Sequence, residues 1–293
     1  MAERIAESEM ILNERGAIYH INLKPEELAR TVITVGDPGR VPEVSKHFDK
    51  IELSHSHREF VTHTGTIGSR RISVVSTGIG PDNIDIVMNE LDALVNIDFS
   101  TRQPKTELTP LNIIRMGTCG GLQPDIPTDG LIASSLGLGL DNLMHYYPLT
   151  QTDEEKRIIG AFEMHTGLGA RGITPYLVSG SEALLQAFTS QGYFHGITVT
   201  CPGFYAPQGR MLRIPISFRD LPEKMSSFKA EGHRITNFEM ETSAIYGLGR
   251  LMGHQCLSIN TMVANRTTRQ FSADNKKAIE NMITRSLEVL TSL

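Results

Sequence analysis

Several short polar clusters in the chain carry residue types and spacings that could do chemistry. Gly36-Asp-Pro-Gly-Arg40 offers backbone N–H groups followed by a guanidinium, the materials of a phosphate or carboxylate cradle. A capped turn with a solvent-facing arginine would have the same composition. Arg115 is a stronger signal, because it sits in the apolar run Ile113-Ile-Arg-Met116. A guanidinium there cannot be buried unpaired, so it should meet an internal carboxylate or a bound anion. Thr118 adds a hydroxyl donor at that strand end, although threonine in a turn is often a local cap. Ser56-His-Arg-Glu-Phe60 supplies a third arginine, Arg58, flanked by His55 and His57. The two histidines would share one face of a strand, but no carboxylate or cysteine stands at metal spacing, and no metal site is expected.

Two further clusters suit other ligand groups. Asn237-Phe-Glu-Met-Glu-Thr242 places Glu239 and Glu241 two residues apart around Met240. Acids near a helix start commonly complement its dipole. In an extended segment, however, such carboxylates point the same way and can accept from the two vicinal hydroxyls of a sugar. Phe204-Tyr-Ala-Pro-Gln-Gly-Arg210 puts an aromatic, an amide and a guanidinium on one loop. That is a kit for a flat heterocycle: a ring to stack on, Gln208 to donate and accept, Arg210 to donate. A plain surface loop could also read this way. No GxxxxGK[ST] and no HExxH occur, and Gly78-Ile-Gly80 lacks the third glycine of a dinucleotide fingerprint.

The elements that must position these clusters alternate between strand and helix. The run Thr31-Val-Ile-Thr-Val35 reads as a buried strand entering the 36–40 turn, with Asp37 as N-cap of the next helix and Pro38 at its first position. A second strand covers 72–76, before Thr77-Gly-Ile-Gly80. The helix that follows carries one apolar stripe, Ile84, Val87, Met88, Leu91, Leu94 and Val95. A third strand, 111–116, is expected to end in the glycine-rich turn 117–121. Further strands are predicted at 197–200 and 256–262, and helices at 242–251 and around Ile279, Met282, Ile283, Leu287 and Leu290. Such alternation implies a largely parallel, wound sheet with its ligand site at the carboxyl ends of the strands. No linker or repeat divides the chain, so a single domain, 1–293, is expected, with Asn96 to Pro110 as a surface insertion.

Composition narrows the classes. The 293 residues, 40% of them hydrophobic, suffice for a sizeable core and exclude a disordered chain. A net charge of −5, no tryptophan and 6% aromatics argue against a nucleic-acid partner. Three separated cysteines, no bilayer-length apolar run and the charged opening MAERIAESEM point to a cytoplasmic protein with no membrane partner.

Taken together, the motifs resemble the nucleoside phosphorylases of the trimeric/hexameric type, and within them the uridine phosphorylase branch. Tyr19-His20, Gly36 to Arg40, His57 to Phe60, Ser76 to Gly80, Arg115 to Thr118, Phe204 to Arg210, Phe238 to Glu241 and Asn265-Arg266 occur in that family's order and at similar spacings. The resemblance implies an α/β, single-domain three-layer fold with a central, mostly parallel mixed sheet flanked by helices. It implies a phosphate site at Gly36, Arg40, Arg115 and Thr118, completed by Arg58 of a neighbouring subunit. His20, also from the neighbour, would touch the ribose 5′-hydroxyl. Met240 and Glu241 would bind the ribose, with Glu239 in support, and Phe204, Gln208 and Arg210 the base. Arg115, Glu241, Gln208 and Arg210 are thus the expected catalytic residues.

The implied reaction is reversible phosphorolysis of uridine to uracil and ribose 1-phosphate. Inorganic phosphate would be co-substrate, with no cofactor or metal, in a homo-oligomer, at least a dimer and up to a hexamer, with shared sites. Purine-specific relatives place an acid where this chain has Asn265, an amide with no proton to give. Pro81-Asp-Asn83 departs from the family's small residues, which weighs against an interfacial monovalent cation. A purine nucleoside phosphorylase, a nucleoside hydrolase and a non-catalytic nucleoside-binding protein are the rival readings.

Overall fold

The β-branched run at Thr31 forms strand β1 (Thr31–Val35) in the computed structural model, which describes residues 4–293. The chain folds as two compact units, one built from the segment ending at Ile114 together with Leu248–Gln255, the other from Arg115–Gly247 and Cys256–Leu293.

In the first unit β1 is followed by α1 (Arg40–Ser45), β2 (Lys50–His57), β3 (Phe60–Ile67), β4 (Arg70–Ser76), α2 (Pro81–Asn96), β5 (Ile97–Asp98) and β6 (Gln103–Pro104). β1 runs parallel to β4, with Val35 opposite Ser76, while β4, β3 and β2 are successively antiparallel. The parallel register brings the turns after β1 and β4 to one end: Thr77 N–H donates to Val35 O at 2.8 Å, and a Cβ on Gly36 would stand 3.4 Å from Gly78 O. The β2–β3 hairpin turns on two residues, Arg58 and Glu59, and Arg58 takes a φ of 55°, as such a tight turn demands. The α2 stripe folds as its spacing dictates, with Ile84, Val87, Met88, Leu91 and Leu94 buried and Val95 half-buried.

Two expectations are corrected in this unit. Asp37 is not the N-cap of α1. The helix starts later, with Gly39 as its N-cap, and the Asp37 carboxylate instead accepts from the Gly39 N–H at 2.9 Å, closing an Asx turn. The 96–110 stretch is more than a surface insertion. It forms the β5–β6 hairpin, and its Arg102 is buried, donating to the carbonyls of Ile5, Ala6 and Met10. The N-terminal segment is held down by that guanidinium.

The second unit contains β7 (Asn112–Gly121), β8 (Leu131–Gly139), α3 (Asp153–Thr166), β9 (Tyr176–Ser179), α4 (Glu182–Thr189), β10 (Phe194–Thr200), α5 (Leu221–Ser227), β11 (Lys229–Ala230), β12 (His233–Glu239), α6 (Thr242–Met252), β13 (Gln255–Asn265), β14 (Gln270–Phe271) and α7 (Asn275–Ser292). β7, α6 and β13 have a few residues assigned to the first unit. β10 lies parallel between β8 and β12, β13 is antiparallel to β8 and borders β7, and β7 pairs antiparallel with β12 through Gly120 and Gly121. The five strands β12, β10, β8, β13 and β7 therefore close into a ring. One core cluster joins strand residues such as Leu138, Val199 and Phe238 to Phe162 of α3 and Met225 of α5.

The glycine-rich segment 117–121 is strand and not turn. Its glycines serve close packing: a Cβ on Gly120 would lie 2.5 Å from the Phe238 ring, one on Gly121 would collide with Met262, and one on Gly117 with the Arg115 guanidinium. The sheets are mixed within an α/β framework. No helix among the described residues is long and apolar enough to cross a membrane.

Candidate functional site

Three groupings of the expected site residues are present, two of them in the second unit. The first centres on Arg115, whose strand position buries it almost fully. Its Nη2 lies 2.5 Å from Glu241 Oε2 and 3.2 Å from Glu239 Oε2, and its Nη1 donates to Asn260 Oδ1 at 2.6 Å. Burial works against the charge, but the Glu239 and Glu241 carboxylates outweigh it and hold the guanidinium pKa above its ordinary value. An internal carboxylate, one of the two partners open to a buried arginine, is thus present at Arg115.

Glu239 ends β12, and the chain then turns into α6. Its carboxylate accepts from the N–H groups of Glu241 and Thr242 and, at 2.8 Å, from Thr200 Oγ1 at the end of β10. Thr200 Oγ1 in turn accepts from Ser243 N–H at 2.8 Å. Glu239 is thus both a terminator of the α6 backbone and an anchor for Arg115. Glu241 is buried on the same guanidinium, Met240 is half-buried between the two acids, and Thr118 is half-buried on β7.

The second grouping is the 204–210 loop. Gln208 is buried, and its Oε1 accepts from Arg210 Nη1 at 2.5 Å. The same nitrogen donates to Phe204 O at 2.8 Å, and the guanidinium stacks 3.8 Å over the Phe204 ring, whose own exposure is 50%. Burial, then the nearby charge of Arg266, pushes the Arg210 pKa down to about 10. Arg266 also donates to Gln208 O at 3.2 Å, so a second guanidinium braces this loop. The loop presents an amide, a guanidinium and an aromatic face together, as its composition suggested.

The third grouping lies in the first unit. His20 Nδ1 is 2.6 Å from Glu90 Oε1, and the Glu90 carboxylate also receives the His20 and Ile21 N–H groups. His57 Nδ1 lies 3.1 Å from His20 O, and Tyr19 contacts His20 and His57 edge-on. The exposed Arg58 guanidinium stands 5.7 Å over the Tyr19 ring. His20 and Arg58, the two residues assigned to a neighbouring subunit's site, therefore share one cluster. In the same unit Gly36 and Arg40 bracket the turn between β1 and α1, both half-buried.

Asn265 turns inward. Its Nδ2 donates to the carbonyls of Gln123 and Ile126, and its Oδ1 accepts from Thr267 and Thr268 N–H groups. Both ends of that amide are spent on backbone. Sequence reading passed over Asn260, because in the alternating run Leu257-Ser-Ile-Asn-Thr-Met262 an asparagine reads as one polar residue among several. No three histidine, cysteine, aspartate or glutamate side chains come together as a metal site among the described residues.

Cys119, Cys201 and Cys256 are all free and buried. Burial raises each thiol pKa, that of Cys256 to about 12. The folded protein is expected to resist a disulfide reagent such as Ellman's at neutral pH, with all three thiols reacting once denaturant is added. A thiol that titrates quickly in the native protein would contradict this burial.

Comparison with known proteins gives consistent matches. Residues 30–293 match the family described as Phosphorylase superfamily. The uridine phosphorylase of Thermococcus kodakarensis is 29% identical over 293 residues, covering 99% of this chain and 92% of that protein. A DeoD-type purine nucleoside phosphorylase of Buchnera aphidicola is 25% identical, covering 92% of this chain and 97% of that protein. Among solved structures, a Trypanosoma brucei nucleoside phosphorylase described as showing uridine phosphorylase activity superposes with a TM-score of 0.89. It is 30% identical and covers 97% of this chain and all of that one.

Proposed function

The chain belongs to the phosphorylase superfamily, and from that premise we propose that it catalyses the reversible phosphorolysis of uridine to uracil and ribose 1-phosphate. The observation that carries the pyrimidine reading is the hydrogen-bonded Gln208–Arg210 pair beside Phe204. Uracil leaves with negative charge spread onto its carbonyl oxygens, and donors stabilise that charge without a general acid. The position at which purine-specific relatives supply an acid is Asn265, an amide already committed to backbone.

Gly36, Arg40, Arg115 and Thr118 are assigned to phosphate, with Arg58 contributed by a neighbouring copy. Phosphate held under C1′ places an oxygen for attack and stabilises the oxocarbenium-like transition state. Glu241 accepts from the ribose hydroxyls, Met240 packs beside the sugar, and Glu239 fixes Glu241 through its backbone N–H. His20 reaches the 5′-hydroxyl from the neighbouring copy, so the working unit is a homo-oligomer. Inorganic phosphate is the co-substrate, and no step calls on a metal or organic cofactor. The family match running through both units supports treating 1–293 as one phosphorylase-like domain.

The deciding experiment incubates uridine, thymidine, inosine and adenosine with and without phosphate and follows free base. Uracil release that depends on phosphate is expected. Release without phosphate would indicate a hydrolase, preference for inosine or adenosine a purine enzyme, and binding without turnover a nucleoside-binding protein; each would overturn the reading.

A further inference from the structure

We propose that Asn260 is a positioning residue for Arg115, fixing the guanidinium so that its Nη2 edge spans Glu239 and Glu241. The proposal rests on the reading of Arg115 as a phosphate-binding residue. Asn260 is fully buried on β13, where an asparagine costs stability unless both ends of its amide are used. Both are. Its Oδ1 accepts from Arg115 Nη1 at 2.6 Å, and its Nδ2 donates to Ser258 Oγ at 3.1 Å and Ser134 Oγ at 3.4 Å.

The direction of the amide is dictated by its surroundings. Arg115 has only donors, so the carbonyl must face it. The Nδ2 end meets two hydroxyl oxygens, Ser134 Oγ and Ser258 Oγ, each able to accept. Thr198 Oγ1 donates to Asn237 Oδ1 at 2.9 Å, which leaves it to accept from Ser134 at 2.6 Å, and Ser258 Oγ accepts from Thr242 Oγ1 at 2.8 Å. The polar layer therefore runs from Arg115 through Asn260 into hydroxyls on β8, β10 and β13, and every element of it lies on the closed ring of strands or at the start of α6.

Two carboxylates alone would fix the guanidinium's charge but not its roll about the chain. A third, neutral acceptor on the opposite nitrogen removes that freedom without adding a third negative charge. Arg115 then offers phosphate one preset orientation.

The test compares the parent with Asn260→Leu, which keeps the bulk and removes the acceptor, and Asn260→Asp, which restores an acceptor. Asn260→Leu is expected to raise KM for phosphate by about tenfold, the loss of one hydrogen bond to a charged group, with KM for uridine changed by less than about twofold. Asn260→Asp is expected to recover part of the phosphate KM. The second readout needs no turnover: the rise in Tm on adding inorganic phosphate should shrink in Asn260→Leu. If Asn260→Leu does not fold, Asn260→Ser carries the same comparison. Unchanged phosphate KM and unchanged Tm response overturn the proposal, as does an equal rise in both KM values. A parent whose Tm and turnover ignore phosphate would instead overturn the reading of Arg115 itself.

Discussion

Arg115→Ala is expected to lower kcat/KM for phosphate by about a thousandfold, the scale on which loss of one aimed donor at a reacting anion is felt. The guanidinium bridges Glu241 at 2.5 Å, Glu239 at 3.2 Å and Asn260 at 2.6 Å. Its removal therefore acts twice. Phosphate loses a fixed cation, and two buried carboxylates lose the guanidinium they share, at a stability cost of about 3–5 kcal/mol. Arg115→Lys separates the two effects, because an ammonium keeps the charge but cannot fork between three acceptors. A lysine variant that melts near the parent temperature and still fails to saturate with phosphate would assign the defect to geometry. Initial rates at fixed uridine with varied phosphate, alongside thermal denaturation, make the measurement. Near-normal phosphate saturation in Arg115→Ala would sink the assignment.

The second large effect is expected at the base. Gln208→Ala should lower kcat/KM for uridine by about a hundredfold to a thousandfold while phosphate KM changes little. Gln208 is buried, so the substitution removes an amide from a site where water cannot replace it readily, and it frees Arg210 from the 2.5 Å bond that now aims its guanidinium. Arg210 would keep its bond to Phe204 O and its stack on the Phe204 ring, so the loop should hold. Equal losses toward uridine and phosphate would speak against a base-reading role.

Much of this arrangement was legible in the amino-acid order because burial leaves a period. The strands at Thr31 and Ile72 and the α2 stripe follow from β-branched runs and helical spacing. Arg115 announced itself as a charge among apolar residues, which obliged it to find a partner. What stayed hidden depended on contacts between segments far apart in sequence. Gly117 to Gly121 reads locally as a turn, and only the rings and side chains of Phe238, Met262 and Arg115 explain why a strand there must lack side chains. Asp37 has the right type for an N-cap, yet the helix begins later because its carboxylate closes on Gly39 first. Asn260 was missed because its partner is 145 residues away, and the inward turn of Asn265 depends on the distant carbonyls of Gln123 and Ile126.

The closed ring of β12, β10, β8, β13 and β7 has a bearing on how the protein behaves at high concentration. A ring offers no unpaired row of N–H and C=O groups, so the strands that carry Arg115, Glu239 and Asn260 give a stray chain no template for edge-to-edge aggregation. β2, by contrast, is the terminal strand of its sheet, and it places charged Lys50 and Glu52 on that border. Charges on an open border are the usual guard against unwanted strand addition. The chain thus protects its chemistry by closure and the terminal strand β2 by charge.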